Sequence, residues 1–387
     1  MTMARTLEGR PRIPVCEPLL DGNEQAYVLD ALHTTWISST GPYIVRFEET
    51  FSQYCGVQYG VACSSGTAAI HLALAALGIG AGDEVIVPCF NLIVGVSTVI
   101  WTGARPVLVD ADAATWCLDP TRIEEKITSR TKAILAVHMY GHPCDMDAIG
   151  VVARRHGLRV IEDAAEAHGA EYNGRRVGGL SDVACFSFYG NKIITTGEGG
   201  MLVTNDRKLA ERARLLRNQA FEEPRFVHQH LGFNYRLTNL QAAIGLAQCE
   251  TIHKKVGRKR EIAGWYTELL KDDPRLTLPP EATWARSVYW MYGVLLDESG
   301  GRSRDEVMRW LQQQGIETRP FFHPMHQQPV FLQDRDPWFP DTKGSYPVAE
   351  RLGRTGLYLP SGLSLTQEQV RRVVEALRQC LVAARCA

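Results

Sequence analysis

Three short stretches hold residues whose types and spacing could do chemistry. In SSGTAAIHLAL (64–74) a turn of small residues runs straight into an amphipathic helix. The backbone N–H groups of Gly66, Thr67 and Ala68 point out of that helix start, and such an end binds phosphate through its free donors and its dipole. In VIEDAAEAHG (160–169) Glu162 and Asp163 close an apolar strand, and open parallel sheets place ligand groups at the carboxyl ends of their strands. A carboxylate there can pair with a protonated ring nitrogen. In CFSFYGNKIITTGEGGMLVTND (185–206) Ser187 closes a strand and Lys192 follows in an apolar setting. Desolvation favours the neutral amine, the form that attacks carbonyls.

Each stretch also has an ordinary reading. Ser-Ser-Gly-Thr is a good helix cap, Asp163 could cap the turn that follows it, and Lys192 could be a surface lysine in a loop. The three together are more specific than any one. A phosphate cradle, a strand-end aspartate and a later lysine on one sheet are the parts of a pyridoxal 5′-phosphate enzyme. A nicotinamide dehydrogenase is disfavoured, since no G-x-G-x-x-G follows the first strand.

The elements that must position these residues follow from hydrophobic patterning. Apolar runs at 85–88, 105–110, 133–138, 158–163, 184–188 and 200–204 alternate with helical stretches such as 67–78 and 145–157. That alternation predicts an α/β fold with a mainly parallel sheet and helices on both faces. Residues 238–270 read as one long helix or two. Beyond a proline-containing stretch at 274–280, the patch SVYWMYGVLLD (287–297), a helix over 304–314 and a last helix over 366–385 predict a smaller C-terminal α/β domain. The expected division is a large domain over 1–250, with its N-terminal segment, and a small one over 251–387.

Composition sets the outer bounds. With 42 Lys+Arg against 43 Asp+Glu, the chain has no electrostatic footprint for nucleic acid or anionic membrane. The uncharged run 85–104 is long enough for a span, but Pro88, Asn91, Gly95 and Gly103 interrupt it, so it reads as a buried strand, a turn and a buried helix. Ten cysteines without a C-x-x-C pair, and no apolar leader over 1–15, predict a reduced, cytoplasmic protein. His138, His142 and Cys144 lack a second pair at ligand spacing, so no metal is expected. KKVGRKR (254–260) reads as a solvated helix face, with attraction of a substrate diphosphate as the other option.

From about Ile13 to near the C-terminus, the chain resembles the DegT/DnrJ/EryC1/StrS family of sugar aminotransferases, of fold type I (aspartate aminotransferase-like). GDEVIVP (82–88), VHMYGHPCDMDAI (137–149), GFNYRLTNLQAAIGLAQ (232–248) and ETRPFFHPMH (317–326) carry the likeness beside the three stretches above. The resemblance implies that Lys192 is the Schiff-base lysine and Asp163 the partner of the pyridinium nitrogen. It sets Gly66, Thr67 and Ser187 on the phosphate, Ala165 on the ring face and Glu166 near the phenolic oxygen. Asn234 would reach the phosphate from a second subunit, making the working unit a homodimer with shared active sites. Where the family usually stacks an aromatic on the ring, this chain has Leu92, with Phe90 as a possible replacement. Lys192 favours amino transfer over dehydration, because dehydrases of this fold carry His there.

TWISSTG (35–41), with the lysine and Asn234 stretches, most resembles the branch that converts GDP-4-keto-6-deoxy-D-mannose to GDP-perosamine with L-glutamate as donor. Trp36, Ser38, His138, Tyr140, Arg236, Arg319, His323 and His326 are the substrate candidates; Arg236 or Arg319 could hold a carboxylate or diphosphate. His323, where an aromatic is expected, and Leu92 keep other readings open. These are a 3-aminotransferase acting on GDP-3-keto-6-deoxymannose, a dTDP-keto-sugar aminotransferase, and a cofactor-binding regulator or scaffold.

Overall fold

The computed structural model describes residues 12–298, 301–333 and 336–382. The leader reading over 1–11, Cys386 and the end of the last helix lie outside the described residues. The predicted runs become strands of one seven-stranded sheet: β1 (Tyr59–Cys63), β2 (Glu84–Pro88), β3 (Arg105–Val109), β4 (Thr131–Val137), β5 (Arg159–Asp163), β8 (Val183–Ser187) and β9 (Gly200–Thr204). Their order is β1-β9-β8-β5-β4-β2-β3. Neighbours from β8 through β3 pair in parallel, while β9 runs against both β8 and β1. The reversal has a simple cause. No helix separates β8 from β9, and a parallel return needs a crossover. The loop that replaces the crossover carries Lys192.

Because β1, β2, β4, β5 and β8 share one direction, their carboxyl ends meet along one edge. Helix α3 (Gly66–Ala76) starts there, directly after β1, and packs across β8 and β9. Two helices precede β1, where the sequence reading placed no element: α1 (Glu24–His33) and α2 (Pro42–Cys55). The 85–104 run is β2, a turn and α4 (Val94–Trp101), as read. Among the described residues no helix is long and apolar enough to cross a membrane. α5 (Met146–His156) and α6 (Arg207–Arg217) follow, and a two-residue ribbon joins β6 (Glu171–Tyr172), β7 (Arg175–Arg176) and β11 (Ala285–Arg286). The 238–270 stretch is two helices, α7 (Asn239–Glu250) and α8 (Ile252–Leu270).

A second, antiparallel sheet holds β10 (Leu276–Thr277), β12 (Tyr292–Leu296), β14 (Gly356–Leu359) and β13 (Arg319–Pro320), in that order. Helices α9 (Arg304–Gln313) and α11 (Gln367–Val382) pack around it, with α10 (Pro347–Thr355) leading into β14. Its core joins Tyr266, Tyr292, Leu311, Leu357 and Leu377 with Ile13 from the other end of the chain. The basic run on α8 departs from expectation. Lys255 and Lys259 face inward and are 1% exposed, so only the other half of the run is solvated. Lys255 pairs with Asp21, and Lys259 donates to the carbonyls of Trp290 and Ser361.

Candidate active site

A cavity of about 330 Å³ opens at the carboxyl edge of the large sheet. Gly66, Thr67, Leu92, Asp163, Ala165, Glu166, Ser187 and Lys192 all line it. Ser65 caps α3 by accepting the Ala68 N–H at 3.1 Å, which leaves the N–H groups of Gly66 and Thr67 as the helix's open donors. Glycine at 66 is a steric requirement. A Cβ there would lie 2.6 Å from Ser187 Cβ, and one at Gly200 would lie 2.2 Å from the Ser65 carbonyl. The cradle is therefore built by close approach of two backbones.

Strand alternation sends Glu162 and Asp163 to opposite faces. Glu162 is fully buried and accepts from His138, Gly178, Leu180 and Ser181. Asp163 faces the cavity and takes the Ala165 N–H at 3.1 Å; burial raises its pKa, opposed by that hydrogen bond and by Lys192. Glu166 accepts the Tyr140 N–H at 2.8 Å. Burial pushes its carboxyl up to about 7, against the pull of Lys192. Lys192 is itself pushed down by burial, partly offset by Glu166 and Asp163. Its Nζ lies 3.8 Å from the ring centroid of Trp290.

Of the two residues considered for the ring-stacking place, Leu92 is in the cavity wall and 46% exposed. Phe90 is fully buried behind it, 6.1 Å from Tyr140 and 5.9 Å from Phe321 between ring centroids, so it does not take over. None of the substrate candidates lines the cavity. His138 accepts the Cys144 N–H and meets Glu162 at 3.0 Å, which occupies both ring nitrogens. His326 spans Cys89 and Glu350. Tyr140 is buried, and its hydroxyl accepts the Phe322 N–H. His142 is likewise bound up, with Pro143 O and the Ala282 N–H.

Of the other candidates, Trp36, Ser38, Arg319 and His323 are exposed and Arg236 is half-buried. The carbonyls of Trp36 and Ser38 are pinned by buried Asn239. Arg236 donates to Asn218, Arg319 pairs with Glu317 beside Tyr358, and His323 meets Gln327 O. Asn234 is exposed and is not among the residues lining this chain's own cavity. Sequence reasoning missed Trp290, Asn191, Phe322 and Tyr358, which complete the wall. The stretch FFHPMH did point to this neighbourhood, but Phe322 rather than His323 faces the cavity.

The profile of the DegT/DnrJ/EryC1/StrS aminotransferase family matches residues 18–378. The chain belongs to this family. It is 51% identical over 374 residues to GDP-perosamine synthase of Caulobacter vibrioides, with 96% of this chain and 99% of that one covered. Identity to GDP-perosamine synthase of Escherichia coli O157:H7 is 45% over 368 residues, covering 95% and 98%. The crystal structure of S. venezuelae DesV in complex with a ketimine intermediate has a TM-score of 0.89 at 38% identity, covering 96% and 99%. The chain is thus a pyridoxal 5′-phosphate-dependent sugar aminotransferase of fold type I. The cavity fits that cofactor: open N–H donors beside a close-packed glycine, a buried carboxylate at a strand end and a buried lysine.

Proposed function

We propose that the enzyme transfers the amino group of L-glutamate to C4 of GDP-4-keto-6-deoxy-D-mannose, giving GDP-perosamine. The observation that carries this reading is the 51% identity, over nearly the full length of both chains, to GDP-perosamine synthase. Bound pyridoxal 5′-phosphate supplies the electron sink for the pair released at the donor's Cα. The protein's residues do the rest. Gly66 and Thr67 N–H groups and the Ser187 hydroxyl hold the phosphate; Asp163 keeps the proton on the ring nitrogen. Ala165 and Leu92 bound the ring, with Glu166 toward its phenolic oxygen. Lys192 Nζ, whose hold on a proton burial weakens, takes the proton from the glutamate Cα and delivers one to the sugar C4 in the second half-reaction.

Asn234, exposed and outside the lining of its own cavity, completes the phosphate site of a second copy. Two cavity residues that are half exposed, Leu92 and Tyr189, support a shared homodimeric site. Trp36, Ser38, Arg236, Arg319 and His323 are the candidates for contacting sugar nucleotide at that junction; His138, Tyr140 and His326 act from behind it. The large domain is taken as residues 1–250 and the small one as 251–387. The cytoplasm is the proposed setting, since all nine described cysteines are free thiols. Lys192, Asp163 and Glu166 gathered in one cavity argue against a scaffold, and no feature of the wall favours a 3-keto or dTDP-linked sugar. The test is transfer from ¹⁵N-glutamate to GDP-4-keto-6-deoxy-D-mannose, read by mass spectrometry. One ¹⁵N in the nucleotide sugar supports the reading; 2-oxoglutarate formation without a labelled sugar contradicts the substrate.

A further inference from the structure

A lysine that carries the cofactor is released once in every turnover, and it must then rest somewhere inside a buried cavity. Trp290 offers the place. Its ring centroid is 3.8 Å from Lys192 Nζ, and the residue is 3% exposed. The indole is fixed from three sides. Its N–H donates to the carbonyl of Asn191, next to the lysine in sequence, at 2.8 Å. Its own carbonyl accepts from buried Lys259 at 2.7 Å. Tyr140 stacks alongside, 6.3 Å away at 21°. A desolvated aromatic face attracts an ammonium group more strongly than a wet one does.

We propose that Trp290 is a positioning residue that receives Lys192 Nζ while the lysine is free of cofactor, holding it over the indole face in line for the next proton transfer. The inference rests on Lys192 being the cofactor-bearing lysine. The other groups acting on Lys192 are Asp163 and Glu166 from the end of β5 and Cys16 from the N-terminal segment. His168, held down to about 3 by burial and by Lys192, is a neutral ring packed against Phe51, Phe186 and Phe188. The carboxylates favour the ammonium and burial opposes it, so the indole adds to the carboxylates' side.

The test uses holoenzyme already converted by L-glutamate, in which Lys192 is free. It is mixed with 2-oxoglutarate, and recovery of the visible cofactor band is followed in a single turnover across pH. Lys192 must be neutral to accept a proton, so the rate climbs with pH as the ammonium deprotonates. Without the indole the ammonium is less favoured, and the acid limb of W290L is expected about one pH unit lower. W290F keeps an aromatic face and falls between W290L and wild type. Fluorinated tryptophan, incorporated at all eight tryptophans, weakens the ring's negative face at unchanged shape and moves the limb the same way, whether or not W290L folds.

A limb that stays put in both the fluorinated protein and W290F, or one that moves to higher pH because a smaller side chain admits water, overturns the proposal. A wild-type visible band that glutamate does not change overturns the assignment of Lys192, and this inference with it. A normal wild-type response with unmoved variants leaves that assignment standing and removes only the role of Trp290.

Discussion

Asp163 and Glu166 share one buried wall but differ in what they do with a proton. In the proposed mechanism Asp163 holds one on the ring nitrogen, so D163N should bind cofactor and lose about 10²-fold or more in kcat, read by steady-state assay. Glu166 is protonated in the cofactor-free fold up to about pH 7, against 4.5 for an ordinary glutamate. The stabilisation is therefore complete below pH 4.5 and is lost as pH rises to about 7, on the order of 3 kcal/mol. Urea unfolding of cofactor-free protein should show wild type losing stability relative to E166Q across that window; parallel profiles would contradict it. At this scale the sequence was readable where residue type announces chemistry. Lys192, Asp163 and Ser187 stand out because an apolar setting makes a charged or hydroxyl side chain conspicuous. Trp290 did not, since an aromatic among aromatics in SVYWMYG gives no sign of which ring turns toward a lysine.

At the scale of elements, one strand divides structure from chemistry. Glu162 satisfies four donors on one face of β5, and Asp163 faces the cavity on the other. E162A strands those donors and should cost roughly 3 kcal/mol or more in the unfolding free energy of cofactor-free protein. D163N, which keeps the Ala165 hydrogen bond, should cost none. At the start of α3, G66A forces a Cβ against Ser187 Cβ and should raise the cofactor dissociation constant roughly tenfold or more, read by titration of the visible band. The sheet strands were legible because buried parallel strands are continuous apolar runs. The direction of β9 was not, because a strand's sequence carries no sign of its orientation. α2 was legible but overlooked: Tyr43, Phe47, Phe51 and Cys55 recur every four residues, one face of a helix. The inward turn of Lys255 and Lys259 was hidden, since a basic run looks the same whether its amines meet water or carbonyls.

For the whole molecule, the proposed shared site makes a complementation prediction. If Asn234 completes the partner's site as proposed, K192A and N234A should each damage the sites, while in a mixed dimer one site should pair an intact Lys192 with an intact Asn234. Random mixing of the two variants should restore about a quarter of the wild-type sites, measured as turnover after co-expression; no gain over the separate variants would contradict sharing. The measurement that bears most directly on the account is the absorbance spectrum of the purified protein with pyridoxal 5′-phosphate, before and after L-glutamate, and again after GDP-4-keto-6-deoxy-D-mannose. The account predicts a visible band that glutamate bleaches and the keto-sugar restores, and that is missing from K192A. A band in K192A that behaves as in wild type, or no band in wild type, would contradict it.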